Sequence, residues 1–141
     1  MDTFSKVGLW FDRIVLVFAA FLFIMVGSRG LFNPVNSSKE LGISLVTPAG
    51  ITVGRVAFGG FPLATAIIVL WCLFSNKRLF YGLVFFAIVI GVLTIIRAYG
   101  LAVDGMTAWN VKILKPEILL TILSVTGIFF ELRRLKRKMV E

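Results

Sequence analysis

The sequence contains no histidine, and its 141 residues include a single cysteine. Without histidine, the commonest haem ligand, the usual neutral-pH base and the commonest transition-metal ligand are all missing. Cys72 alone can form neither an intrachain disulfide nor a CxxC redox pair. It lies in the apolar run LWCLF, where it reads as a small buried hydrophobe. No glycine-rich phosphate loop, HExxH or GxSxG motif is present. No cofactor is implied, and the sequence leans away from an enzyme. Acidic residues are also scarce, seven against fifteen lysines and arginines.

What the chain does have is apolar length. Hydrophobic residues make up 59% of it, and its mean hydropathy is +0.99. A soluble domain is usually about 45–50% apolar. Four long stretches dominate: Ile14–Val26, Ile51–Phe74, Leu79–Ala98 and Ile118–Phe130. With their flanks each reaches the ~20 residues that cross ~30 Å of hydrocarbon. The expected fold is all-α, an integral-membrane antiparallel four-helix bundle. One domain covers residues 1–141, with spans near 9–29, 51–74, 79–101 and 116–134. The first run resembles a signal h-region in size, but it ends in VGSRG without a small-x-small cleavage site, so it reads as an uncleaved span.

The distribution of charge sets the expected orientation. The N-terminus, the SNKR turn and the C-terminus carry Lys6, Arg13, Lys77, Arg78, Arg133, Arg134, Lys136, Arg137 and Lys138. The other two loops carry Arg29, Lys39, Lys112 and Lys115. The positive-inside rule then places both termini in the cytoplasm, in a multi-pass protein of a bacterial inner membrane. The tail ELRRLKRKMVE reads as a topology determinant that attracts anionic lipid rather than as a nucleic-acid tail. SNKR is short enough to make spans two and three an antiparallel hairpin. In the first outer loop, Ser37 and Glu40 fit a capping box and suggest a short surface helix. In the second, Asp104-Gly105 signals a turn and Trp109 suits the headgroup level. Pro116 suits the first position of the last helix, which would put Glu117 in its positive first turn.

Placed by depth, the polar residues converge. Arg29 closes span one. Arg55 lies about 6 Å along the axis from Ile51, and Arg97 about 27 Å along span three from Leu79. Thr94 and Asp104 share the helical face of Arg97. Glu117 opens span four. Every span thus delivers a charge to the outer third of the bilayer. At the cytoplasmic end, Asp12, Arg13 and Glu131 stand at the span boundary. In span two, Arg55, Gly59, Pro62 and Ala66 follow a 4-3-4 spacing on one face. Gly59, Gly60 and Ala66 permit close helix approach, and Pro62 withholds a donor from the Phe58 carbonyl, so a kink is expected. The candidate polar cluster is Arg29, Arg55, Arg97, Asp104 and Glu117. It either locks the bundle or forms a pocket for a polar or anionic ligand.

The stretches GRVAFGGFPLATA, IIRAYGLAVDGM and KPEILL resemble a family of small four-span bacterial membrane proteins known only as a domain of unknown function. A more distant likeness is to the DoxX/DoxD-like four-helix membrane proteins. The resemblance rests on Arg55 with Gly59 and Gly60, Arg97 with Asp104 and Gly105, Glu117, and Gly27 with Asn33 and Pro34. It covers nearly the whole chain and implies the fold and this residue set, but no activity. Three functions of different classes remain. The favoured one is a non-enzymatic accessory or lipid-binding protein, with a membrane-protein partner or a second copy as its associate. The others are a membrane enzyme on a lipid or quinone-like substrate, and a small transporter. Transport is disfavoured because no span carries a midplane carboxylate.

Overall fold

The computed structural model describes residues 3–138, with side chains from 7 to 136. The side chains of Lys6, Arg137 and Lys138, which enter the charge distribution above, lie outside the described residues. The described chain is helical throughout, without strands. Helix α1 covers Thr3–Phe32, α2 Pro34–Glu40 and α3 Pro48–Gly54. A π-helical turn, Arg55–Gly60, leads directly into α4, Phe61–Leu73. Helices α5 and α6 cover Leu79–Val103 and Ala108–Lys138. Four segments are long and apolar enough to cross a membrane: Val7–Phe32, Pro48–Leu73, Leu79–Val103 and Ala108–Lys136. The protein is therefore an all-α, four-span membrane protein. Its exposed large apolar side chains are mostly Ile, Leu, Val and Phe, as a lipid-facing surface requires.

The contacts divide the chain into two compact units. One joins the N-terminal part of α1, up to Leu16, to everything from Cys72 onward; the other is Val17–Trp71. In the first, α6 runs antiparallel to α5 and to the start of α1. Phe11 meets Phe130 edge-on at 5.7 Å between ring centroids. The buried side chains of α5 are Leu79, Leu83, Phe86, Ile90 and Leu101. Gly82 of α5 lets Cys72 approach, since a Cβ there would lie 2.7 Å from that of Cys72. Cys72 is thus the buried packing residue its sequence context suggests. The connection from α4 to α5 is tight, with the Arg78 N–H donating to the Ser75 carbonyl at 2.9 Å.

The second unit is built on backbone approach. A Cβ on Gly27 would come within 2.7 Å of Leu63, and one on Gly59 within 2.7 Å of the Leu31 nitrogen. Gly30 is tighter still, with the Phe58 carbonyl directly over its Cα. Without a strong hydrophobic drive between helices in lipid, such small-residue contacts supply the packing. The disturbance expected at Pro62 takes the form of the π turn just before it. Because Pro62 has no N–H, the α-pattern donor to Phe58 is absent. The preceding turn widens so that the Phe61 N–H reaches back to the Val56 carbonyl. A π turn of this kind is how a helix absorbs a lost α bond without ending.

Three local expectations are corrected. Helix α6 does not start at Pro116 but at Ala108, and Pro116 lies inside it. Thr107 starts the helix: its hydroxyl accepts from the Asn110 N–H at 3.3 Å, and its carbonyl accepts from the Val111 N–H at 3.1 Å. Glu117 therefore does not sit in a first helical turn. The Ser37/Glu40 capping box does not form either. The short helix there, α2, begins earlier, at Pro34 after Asn33, because proline suits a first helical position. Ser37 and Glu40 lie within it. Finally, α5 ends at Val103, so Asp104 is its C-cap rather than a continuation of the Arg97 face. Gly105 then turns the chain at φ 100°.

Candidate functional site: two polar centres along helix α6

Helix α6 is polar inside and apolar outside. Its buried positions are Glu117, Leu120, Ser124, Gly127, Glu131 and Arg134, spaced alternately by three and four. Its exposed positions include Ile118, Leu119, Ile122, Val125, Phe129 and Leu132. A membrane helix with one polar stripe turns that stripe to the protein interior, because lipid offers no partner for it. The stripe runs about 26 Å from Glu117 to Arg134 at 1.5 Å per residue. It ends in a charged centre at each end.

The first centre joins α5 to α6. Arg97 Nε donates to Glu117 Oε2 at 2.8 Å, and its Nη2 donates to Oε1 at 2.9 Å. Arg97 Nη1 also donates to Asn110 Oδ1 at 3.2 Å. One turn deeper, the Thr94 and Thr121 hydroxyls are 3.2 Å apart. Each also donates back to a carbonyl four residues earlier, Ile90 and Glu117. The fork-to-fork pair is the strong form of an arginine–carboxylate interaction, since two parallel N–H bonds fix both groups. The Arg97 side chain keeps 26% of its exposure and Glu117 only 10%.

The second centre lies at the other end of the same unit. Glu131 accepts from Arg134 Nη2, and this Nη2 also donates to the Asn76 carbonyl at 2.9 Å. Arg13 Nη2 donates to the Asn76 side-chain oxygen at 2.8 Å. Asn76, in the α4–α5 turn, thus holds arginines from both α1 and α6. Asp12 is completely buried beside them, within electrostatic reach of Glu131 and Arg134. Among the described residues, neither of its carboxylate oxygens has a hydrogen-bond partner. The Nε atoms of Arg13 and Arg134 are also buried without one. Its Oδ1 lies against the backbone of α6, where a Cβ on Gly127 would meet it at 2.7 Å.

These positions redistribute the residues singled out from sequence. Arg97 and Glu117 are brought together. Asp104 is exposed outside their pair, its N–H donating to the Gly100 carbonyl at 2.8 Å. Arg29 and Arg55 belong to the Val17–Trp71 unit. Arg29 is exposed. Arg55 Nη1 donates to the Leu31 carbonyl at 2.6 Å, and so caps the end of α1. Gly59 is buried against α1, whereas Gly60 is exposed with open space at its Cα. Pro62 follows the π turn.

The second centre is the one sequence reading undervalued. Asp12 and Glu131, which the sequence places at the span boundary, are fully buried within the protein. Arg134 is not part of an exposed basic tail, being only 7% exposed. The available signal was the 3-4 spacing of Glu117, Ser124, Gly127, Glu131 and Arg134. Among the described residues, no group of three or more acidic, histidine or cysteine side chains could hold a metal ion.

Compared with known proteins, residues 11–128 match the model of a family described as "Domain of unknown function (DUF4345)". No curated protein and no solved structure matches the chain.

Proposed function

From the premise that the chain belongs to the DUF4345 family, we propose that it is a non-enzymatic binding protein of the membrane, with Arg97 as the contact for an anionic lipid headgroup. The observation that carries this reading is the unfinished bonding of Arg97. A guanidinium has five N–H donors. Glu117 and Asn110 take three of them, and the side chain is still 26% exposed. Glu117 and Asn110 hold the fork in place, so a phosphate oxygen meets a preorganised donor rather than a mobile side chain.

Depth supports the same reading. Arg97 is six residues from the end of the 25-residue helix α5, about 9 Å along the axis. Extended toward the helix end, its side chain reaches the headgroup region. The charge pattern argues that this is the outer face and that both termini are cytoplasmic, with the C-terminal basic residues drawing anionic lipid on the opposite side. Among the described residues no activated nucleophile stands beside a base, which sets the enzymatic reading lower.

Native mass spectrometry of the purified protein with added phosphatidylglycerol and phosphatidylcholine tests the proposal. Phosphatidylglycerol is expected to be retained preferentially. Arg97→Gln loses that preference by roughly 10-fold or more, the scale of one or two charged hydrogen bonds. Arg55→Gln, whose guanidinium caps α1, keeps it. Equal retention by the wild-type protein and Arg97→Gln overturns the proposal and leaves the Arg97–Glu117 pair a packing element.

A further inference from the structure

We infer that Asp12 is a proton-binding site inside the membrane domain, its carboxyl group held as the neutral acid by the packing of α1 against α6. The observation is a fully buried acid to which no described residue offers a hydrogen bond. Asp12 is 0% exposed, and among the described residues neither of its oxygens finds a hydrogen bond. A buried carboxylate is tolerated only where it is paired and hydrogen-bonded. The cations nearby are engaged elsewhere. Arg134 serves Glu131 and the Asn76 carbonyl, and Arg13 serves the Asn76 side chain. From α6, Glu131 faces Asp12 with the same sign of charge and Arg134 with the opposite sign, so the charges around it largely offset and burial without a hydrogen bond decides its form.

Space narrows the choice of ligand. At Gly127 the Asp12 oxygen touches the helix backbone so closely that a methyl group would overlap it at 2.7 Å, and Leu83 of α5 closes the same spot at 3.1 Å. No metal ion or amine enters on that side. A proton adds no heavy atom, removes the charge, and converts one acceptor into a donor. The site then lies at one end of a line of exchangeable groups on α6: Glu131, Ser124, Thr121 and Glu117. An intramembrane acid in such a line is the usual form of a proton-handling position. This inference does not depend on lipid binding at Arg97, which is at the other end of α6.

Infrared spectroscopy of the protein in lipid nanodiscs at neutral pH tests it. The sequence has three aspartates: Asp2, Asp12 and Asp104. A protonated carboxylic-acid carbonyl band is expected, and labelling aspartate with 13C at its side-chain carboxyl shifts that band. Asp12→Asn abolishes it, and Asp104→Asn leaves it unchanged. The labelling needs no substitution, so the inference stands or falls even if Asp12→Asn does not fold. If the label moves only ionised-carboxylate bands, the inference is overturned, and Asp12 is instead a charge bridged by water to the Arg13 and Arg134 Nε atoms. Loss of the band in Asp104→Asn overturns it equally.

Discussion

Arg97 and Glu117 face each other fork to fork, with both carboxylate oxygens of Glu117 engaged at 2.8 and 2.9 Å. The pair ties α5 to α6 near the start of the polar stripe. Its removal is expected to be asymmetric. Arg97→Ala leaves a 10%-exposed carboxylate without its cation. Stranding a buried charge costs about 3–5 kcal/mol, and the residual exposure of Arg97 moves the expectation to about 2–3 kcal/mol. The double variant Arg97→Leu/Glu117→Leu recovers most of that loss, because an apolar pair strands nothing. Unfolding titrations in mixed micelles of Arg97→Leu, Glu117→Leu and the double variant measure the coupling. A double variant as unstable as the sum of the singles would contradict this account.

Gly30 and Gly60 should respond in opposite ways to the same small change. Gly30→Ala drives a methyl group into the Phe58 carbonyl, which belongs to the backbone and cannot rotate away. Overpacking of this kind costs typically ~1–3 kcal/mol. Gly60 meets nothing closer than the Arg55 carbonyl at 4.0 Å. Gly60→Ala is expected to be neutral or slightly stabilising, since a helical glycine gives up more chain freedom than alanine. Thermal stability in detergent, measured on both variants, separates them. A tolerated Gly30→Ala would show that the close contact with Phe58 is not a constraint on the fold.

The fold was legible because length and hydropathy alone select four spans, and lipid leaves an unbroken chain little choice but helix. Of the 4-3-4 face read in span two, Gly59 and Ala66 are buried, whereas Arg55 is exposed. Element boundaries were not legible. Pro116 reads as a start signal, but Thr107 caps the helix earlier and the proline is tolerated inside it. The pairing of Arg55 was not legible either, because its partner is a backbone carbonyl of Leu31, to which no residue type points. The burial of Asp12 and Arg134 was not legible, because a span boundary and a basic tail are ordinary settings for exposed charge. Arg134 is held by the Asn76 carbonyl and Asp12 lies against α6 at Gly127, tertiary contacts with no local signature.

Neighbouring arginines on α6 should therefore differ sharply. Arg134 is buried and holds both Glu131 and the Asn76 carbonyl. Arg133 is exposed, its guanidinium 4.4 Å from the centre of the Phe129 ring. Arg134→Ala is expected to cost about 3–5 kcal/mol, since it leaves Glu131 charged and buried. Arg133→Ala should cost under ~1 kcal/mol, the scale of an exposed cation–π contact. Comparing the two by denaturant titration also tests the burial of Arg134 directly. Equal effects would mean that both belong to a solvated basic tail.

Arg55 carries the last prediction, and it turns on what a helix end requires. The final carbonyls of a helix have no partner within it, and in a membrane protein an unsatisfied carbonyl is expensive. The Leu31 carbonyl is one of these, and Arg55 reaches it from the π turn of the next span. A charged donor also favours the negative end of the helix dipole. Arg55→Lys retains the charge but replaces the planar fork with a flexible ammonium, while Arg55→Met retains the stem alone. Stability is expected to fall by about 0.5–1 kcal/mol for lysine and about 1–2 kcal/mol for methionine. Amide hydrogen exchange should quicken across the end of α1 and the Asn33 turn in the methionine variant, with α5 and α6 unaffected. If exchange at Asn33–Ser37 stays at its wild-type rate, the Arg55 bond does not hold that helix end, and the charge is then better explained as an interfacial anchor.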